Sequence, residues 1–152
     1  MRRATLIGLI VLGVVLFLFI SGLLARALSV GGAEDGAITS LVRDEAQGNP
    51  NAIVAAISGC GASAACRARA AENAAALKHG GAVQIAQINP SAGFSLGSTV
   101  GTARVAWLVG GSLPRVQCVR VQRAGSVLAG YRIKLLEVST RIRSSADCPS
   151  HY

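Results

Sequence analysis

Residues 4 to 25 read ATLIGLIVLGVVLFLFISGLLA, 22 residues without a charge, preceded by Arg2 and Arg3 and followed by Arg26. As a helix this run extends roughly 33 Å, enough to cross a hydrocarbon core of about 30 Å. It therefore reads as a single transmembrane anchor over residues 1–30. Two arginines before the run and one after it place the N-terminus inside and send the remainder outward. The alternative is a cleaved signal peptide, because Ala25-Arg26-Ala27 fits the A-x-A cleavage pattern and would release a secreted domain after Ala27. The run is longer than the ~7 to 15 apolar residues of a signal h-region, which favours a retained anchor. Either way the following domain is extracytoplasmic. Gly8, Gly13 and Gly22 lack the Gly-xxx-Gly spacing of close-packing membrane helices.

Beyond the anchor, Gly31 to Tyr152 supplies 122 residues, one domain with a single core. Gly31-Gly32-Ala33-Glu34-Asp35-Gly36 reads as a flexible linker, with Glu34 and Asp35 suited to a helix N-terminus, so the domain is expected over residues 37–152. Ile38, Leu41, Val42, Glu45 and Ala46 repeat with helical period up to Gly48. Asn49-Pro50 caps and opens a second short helix carrying Ile53, Val54 and Ile57. Gly59-Cys60-Gly61 interrupts it, and an Ala-rich third helix runs from Ser63 to Lys78, closed by Gly80-Gly81.

At Ala82 the period changes to two. Val83, Ile85 and Ile88 alternate with Gln84 and Gln87 as in a half-buried strand. A turn at residues 89–93 leads to a strand at Phe94–Leu96, a break at residues 97–101 and a strand over Ala103–Val109. Val116–Gln122 forms the next strand, Arg123–Ser126 a turn, and Val127–Ser139 a long last strand bent at Gly130. The expected class is α+β: an N-terminal transmembrane helix, then two or three short helices packed on a bent antiparallel sheet.

Helices first and a bent sheet second, over Ala37–Ser139, together with the hairpin Arg123-Ala-Gly-Ser-Val-Leu-Ala-Gly-Tyr-Arg-Ile133, resemble the nuclear-transport-factor-two-like (cone-shaped) domains of envelope-associated proteins of high-GC bacteria. The resemblance implies a cavity between helices and sheet, often without catalysis. A cystatin-like sheet with one wrapping helix is the architectural alternative. The excess of 13 Arg over 2 Lys, with frequent Ala and Gly, is itself what GC-rich coding produces.

Four cysteines, Cys60, Cys66, Cys118 and Cys148, all follow the anchor, and an even count in an exported domain points to disulfides. Of three pairings, Cys60–Cys66 with Cys118–Cys148 joins nearest neighbours in sequence. The loop-entropy model gives the longer bridge about 4 kcal/mol and the shorter about 2. Neither pair is Cys-x-x-Cys, which argues against an oxidoreductase, and Cys148-Pro-Ser-His151 alone does not make a zinc site.

Charge is unevenly spread. Residues 31–93 carry four basic and five acidic side chains, whereas residues 94–152 carry eight basic and two acidic. Arg132 and Lys134 alternate with Tyr131, Ile133 and Leu135, and Arg104 alternates with Val105 and Trp107, so Arg104, Arg120, Arg132 and Lys134 are expected on one sheet face. Such a face would attract anionic lipid, an anionic wall polymer or an acidic envelope protein. Nucleic acid is not an expected partner, because the domain is exported and its aromatics are few.

Enzyme chemistry has little to work with. His79 and His151 are the two histidines; His79 reads as a cation at the C-terminal end of a helix dipole. Asp44 and Glu45 read as solvated helix positions, and Gly97–Thr102 lacks a phosphate-loop pattern. No cofactor or metal is implied. Two functional expectations follow: a non-catalytic interaction or accessory module of the cell envelope, or a small-ligand or lipid binder with Phe94, Trp107 and Tyr131 lining a cavity.

Overall fold

A computed structural model describes residues 2–91, 97–126, 129–143 and 148. Helix α1 spans Arg2–Gln47 without interruption, α2 Pro50–Ala56 and α3 Ala64–Leu77, with a short 3-10 turn at Cys60–Ala62 between the last two. Strands β1 (Val83–Asn89), β2 (Thr99–Val109), β3 (Arg115–Ser126) and β4 (Gly130–Val138) pair in sequence order as an antiparallel meander. The chain is therefore α+β, with helices on one face of a four-stranded sheet.

The first part of α1 is apolar and uncovered: Phe17 is 68% exposed and Ile20 48%, as befits side chains with no protein partner. By length and composition this part is able to cross a membrane. The second part belongs to the core. Val30, Glu34, Ile38, Leu41, Val42, Glu45 and Ala46 recur every three or four residues and are buried against sheet and short helices.

The stretch expected as a linker, Gly31–Gly36, is thus interior helix, and Glu34 is a buried mid-helix residue rather than part of an N-terminal turn. Three glycines cost a helix roughly 1 kcal/mol each relative to alanine. Burying Val30, Ile38, Leu41 and Val42 returns about 1.5–3 kcal/mol apiece, so packing outweighs local propensity.

The short helices follow their caps. Asn49 accepts from the Ala52 N–H at 3.1 Å with Pro50 in the first turn, and Ser63 accepts from the Cys66 N–H at 3.2 Å. The Cys60–Cys66 bridge closes the corner between them. Ser58 N–H donates to Leu135 O at 2.7 Å, fastening this corner to the edge of β4.

Two breaks expected in the sheet are strand. β2 continues through Thr99, Val100 and Gly101, where a side chain on Gly101 would collide with the Ser91 backbone. β3 continues through Arg123–Ser126, and the reversal falls between Ser126 and Gly130. Gly125 makes this hairpin close: its φ is +117° and a Cβ there would meet the Gly130 carbonyl. The expected strand at Phe94–Leu96 lies outside the described residues.

Contacts at two levels orient α1. Glu34 meets Arg123, and eleven residues on, Glu45 meets Gln117, six residues back along β3. About 16 Å of helix thus matches about 20 Å of strand, so α1 runs roughly along β3 in the opposite sense. The end of the sheet carrying the β3–β4 hairpin and the β1–β2 connection lies where α1 emerges from its apolar part.

Since a Cβ at Gly31, Gly32 or Gly36 would meet nothing within 4 Å, the three can become alanine without a clash. The triple substitution should stabilise the domain by about 2–3 kcal/mol, raising the midpoint of a Trp107-monitored denaturant titration. An unchanged or lower midpoint would mean the segment acts as a hinge.

Candidate interaction face and its supports

Antiparallel register assigns every sheet side chain to a face. Thr99, Ala103, Val105 and Trp107 pair with Arg123, Val119, Gln117 and Arg115 towards the helices, and Leu135 and Ile133 join them from β4. The opposite face carries Arg104, paired with Cys118; Arg120, paired with Thr102 and Glu137; Lys134, paired with Gln122; and Arg132, paired with Ala124. All four expected basic residues therefore share the outer face. Arg132 and Lys134 are exposed, while Arg104 and Arg120 are half-buried, and Arg120 approaches Glu137 at 3.6 Å. Partial exposure makes that pair a modest contributor to stability, and it lowers the positive charge at that position.

The Cys118–Cys148 bridge, the second of the expected pair, lies on this outer side. After β4, Ile142 bridges back to Val116 and the chain reaches Cys148, leaving Cys118 fully buried. Arg141 and Arg143 flank Ile142 and are exposed, bringing two further cations beside the face. Sequence alternation did not pick them out because they follow the last strand.

The inner face holds the domain together through two buried carboxylates. Glu34 is fully buried; its carboxylate accepts from Arg123 Nε at 2.7 Å, Ser91 N–H at 2.7 Å and Ser91 Oγ at 3.0 Å. Glu45, expected to be solvated, is also fully buried. Its Oε1 accepts from Asn73 Nδ2 at 2.7 Å and Gln117 Nε2 at 3.1 Å, and both amides donate as well to the Ser139 carbonyl. Oε2 is buried without a hydrogen-bond partner among the described residues. Burial, reinforced by neighbouring Asp44 and only partly offset by the two amide hydrogen bonds, pushes the Glu45 carboxyl up to about 7.

Trp107 was expected to line a cavity, but it is a core residue with no exposed surface, its Nε1 donating to Gln117 Oε1 at 2.8 Å. The Arg115 guanidinium lies 5.3 Å above its ring and donates to Leu77 O at 2.9 Å, closing the C-terminal end of α3. Arg115 thus places a cation at that helix end, with the His79 ring beside its guanidinium. Phe94 lies outside the described residues. Tyr131 faces the helix side at the start of β4 and borders a groove of about 340 Å³ between Ser29, Val30 and Ala33 of α1 and Gly130 and Ile133 of β4. A second groove, of about 250 Å³, lies over the Cys60–Cys66 corner between Arg69 and Glu137. Trp107 and Tyr131 therefore do not share one ligand cavity. Among the described residues no three His, Cys, Asp or Glu gather as a metal-holding cluster.

No protein-family model matches the chain, no curated protein matches it, and no solved structure matches its fold.

Folded Glu45 keeps its proton to about pH 7, whereas the unfolded chain releases it near its ordinary value of 4.5. Between these values the folded state binds more protons, so stability falls as pH rises through the window, by up to roughly 3 kcal/mol. Asp44, raised by partial burial, acts in the same direction. Denaturant unfolding should show greater stability at pH 5 than at pH 8, and Glu45→Gln should flatten the difference. A slope that survives the substitution would assign it elsewhere.

Proposed function

We propose that this protein is a non-catalytic, membrane-anchored interaction module of a bacterial cell envelope. Its domain stands outside the membrane on α1 and offers the basic outer sheet face to an anionic partner. The observation that carries this reading is the strand register that puts Arg104, Arg120, Arg132 and Lys134 on the side away from the helices. Two disulfides suit an oxidising compartment, and the uncovered apolar stretch of α1 suits a lipid surrounding. Arg2 and Arg3 ahead of that stretch favour an inside N-terminus.

The chemistry of the face fits recognition of spread negative charge. Neighbouring strands lie about 4.8 Å apart and alternate residues on a strand about 6.7 Å, a spacing that suits repeated phosphates or carboxylates more than one compact anion. The interior favours support over catalysis, since both buried carboxylates are held by groups that fix helices to the sheet. A small-ligand cavity between helices and sheet has less support, because Trp107 and Gln117 fill that interface.

Soluble poly(glycerol phosphate), a stand-in for an anionic wall polymer, should bind the full chain held in nanodiscs, with affinity falling as salt rises. Charge reversal at Arg104 and Arg120 together should weaken binding at least tenfold. Binding that ignores both salt and the substitutions would refute the basic-face reading.

A further inference from the structure

The two disulfides stand in different surroundings. Cys118 has no exposure, lies within β3, and its bridge to Cys148 spans 30 residues. The Cys60–Cys66 bridge spans six residues and borders the groove of about 250 Å³ at the α2–α3 corner. Along that groove Cys60 is only 1% exposed, whereas Cys66 is half-buried, so an incoming group reaches the Cys66 sulfur first. Cys148 is half-buried too, but neither of the two grooves described above reaches it.

Thiol exchange needs sulfurs that attack or leave as thiolates, and thiolates gain stability in the first turn of a helix and beside cations. Cys66 is the third residue of α3, and its N–H donates to the capping Ser63 hydroxyl at 3.2 Å. Arg69, one turn further on, borders the same groove, and Arg67 Nη1 donates to Gly61 O at 2.6 Å, next to Cys60. Two acids oppose these cations, Glu72 at 3.7 Å from Arg69 and Glu137 at 3.6 Å from Arg120. The Arg69–Glu72 pair is open to solvent, so Glu72 weakens the field of Arg69 without cancelling it. The corner is also held by contacts other than the bridge. Ser58 N–H donates to Leu135 O, Arg67 grips Gly61, and the Ser63 cap persists, so the two thiols stay close after the bond opens. On the loop-entropy model the shorter ring is the less costly of the two to lose.

We infer that the Cys60–Cys66 corner is a thiol–disulfide exchange site for an exported protein dithiol. One thiolate of the dithiol attacks Cys66 Sγ. The Cys60–Cys66 bond breaks, and Cys60 Sγ leaves with the electron pair and takes a proton from water. The second thiolate of the dithiol then attacks its own partner sulfur in the mixed disulfide and releases Cys66 as a thiolate, which is protonated in turn. The dithiol has lost two electrons and two protons and become a disulfide; Cys60 and Cys66 have gained them as thiols. An oxidised partner runs the same steps backwards. Because the spacing is not Cys-x-x-Cys, the corner is the target of such a protein rather than a catalyst of its kind. The site is independent of the basic face and rests on the domain standing outside the membrane, where disulfides persist.

The test reads exchange in the purified full chain in nanodiscs, so it does not depend on where the domain stands in the cell. The protein is titrated with dithiothreitol at pH 7 and alkylated with N-ethylmaleimide. Peptide mass spectrometry should find Cys60 and Cys66 half-reduced at a dithiothreitol concentration at least tenfold below that needed for Cys118 and Cys148. Trp107 emission should be unchanged at that point. Cys60→Ser leaves Cys66 as a free thiol, and Cys66→Ser leaves Cys60. Iodoacetamide at pH 7 should alkylate Cys66 at least tenfold faster than Cys60. Within the Cys60→Ser chain, Arg69→Glu should slow the Cys66 reaction at least threefold and Arg69→Lys should preserve it. Two bridges that open together would overturn the inference, as would loss of the Trp107 signal in step with opening of Cys60–Cys66. Equal alkylation of the two thiols, or a Cys66 rate indifferent to Arg69→Glu, would overturn it as well.

Discussion

The carboxylate of Glu34 is the point on which the position of every other element depends. A charge with no exposure to water is tolerated only where donors replace its hydration, and Arg123 and the two Ser91 donors do so from β3 and from the start of the β1–β2 connection. That requirement draws Arg123 into the sheet as a strand residue. It also holds Ser91 so close to β2 that position 101 must be glycine. It keeps α1 helical across three glycines, because a bend there would carry Glu34 away from its donors.

The opposite end of the same helix repeats the device with neutral partners. Glu45 gathers an amide from α3 and another from β3, the latter also receiving Trp107, and the Ser139 carbonyl after β4 accepts from both amides. Four segments distant in sequence thus meet around one carboxyl group. An acid held by amides alone lacks the countercharge that Arg123 supplies to Glu34, and burial then favours its protonated form. With one carboxylate at each end, the domain half of α1 is fixed along the sheet. Its apolar half emerges as a continuation of the same rod.

Local rules revealed those parts of the fold that local chemistry determines. Asn49 and Ser63 announced their helices through caps, Val83–Asn89 its strand through alternation, and the two disulfides followed the nearest-neighbour pairing. The basic outer face was legible for the same reason, since a period of two assigns faces once a strand is recognised. Features fixed by distant partners were not. Nothing beside Glu34 distinguishes a helix-capping acid in a linker from a buried ion-pair partner 89 residues away, and Glu45 and Arg123 present the same difficulty. The groove was equally hidden, because Ser29 and Tyr131 come together only when α1 lies against β4.

The apolar half of α1 and the domain are joined by one continuous helix across residues 31–36. Amide hydrogen exchange at those positions, measured on the full chain in nanodiscs, reads that continuity residue by residue. A continuous helix fixed by Glu34 predicts exchange slowed at least a hundredfold relative to an unstructured peptide. Exchange at the unstructured rate would show a flexible tether between membrane-length helix and domain in place of a continuous rod.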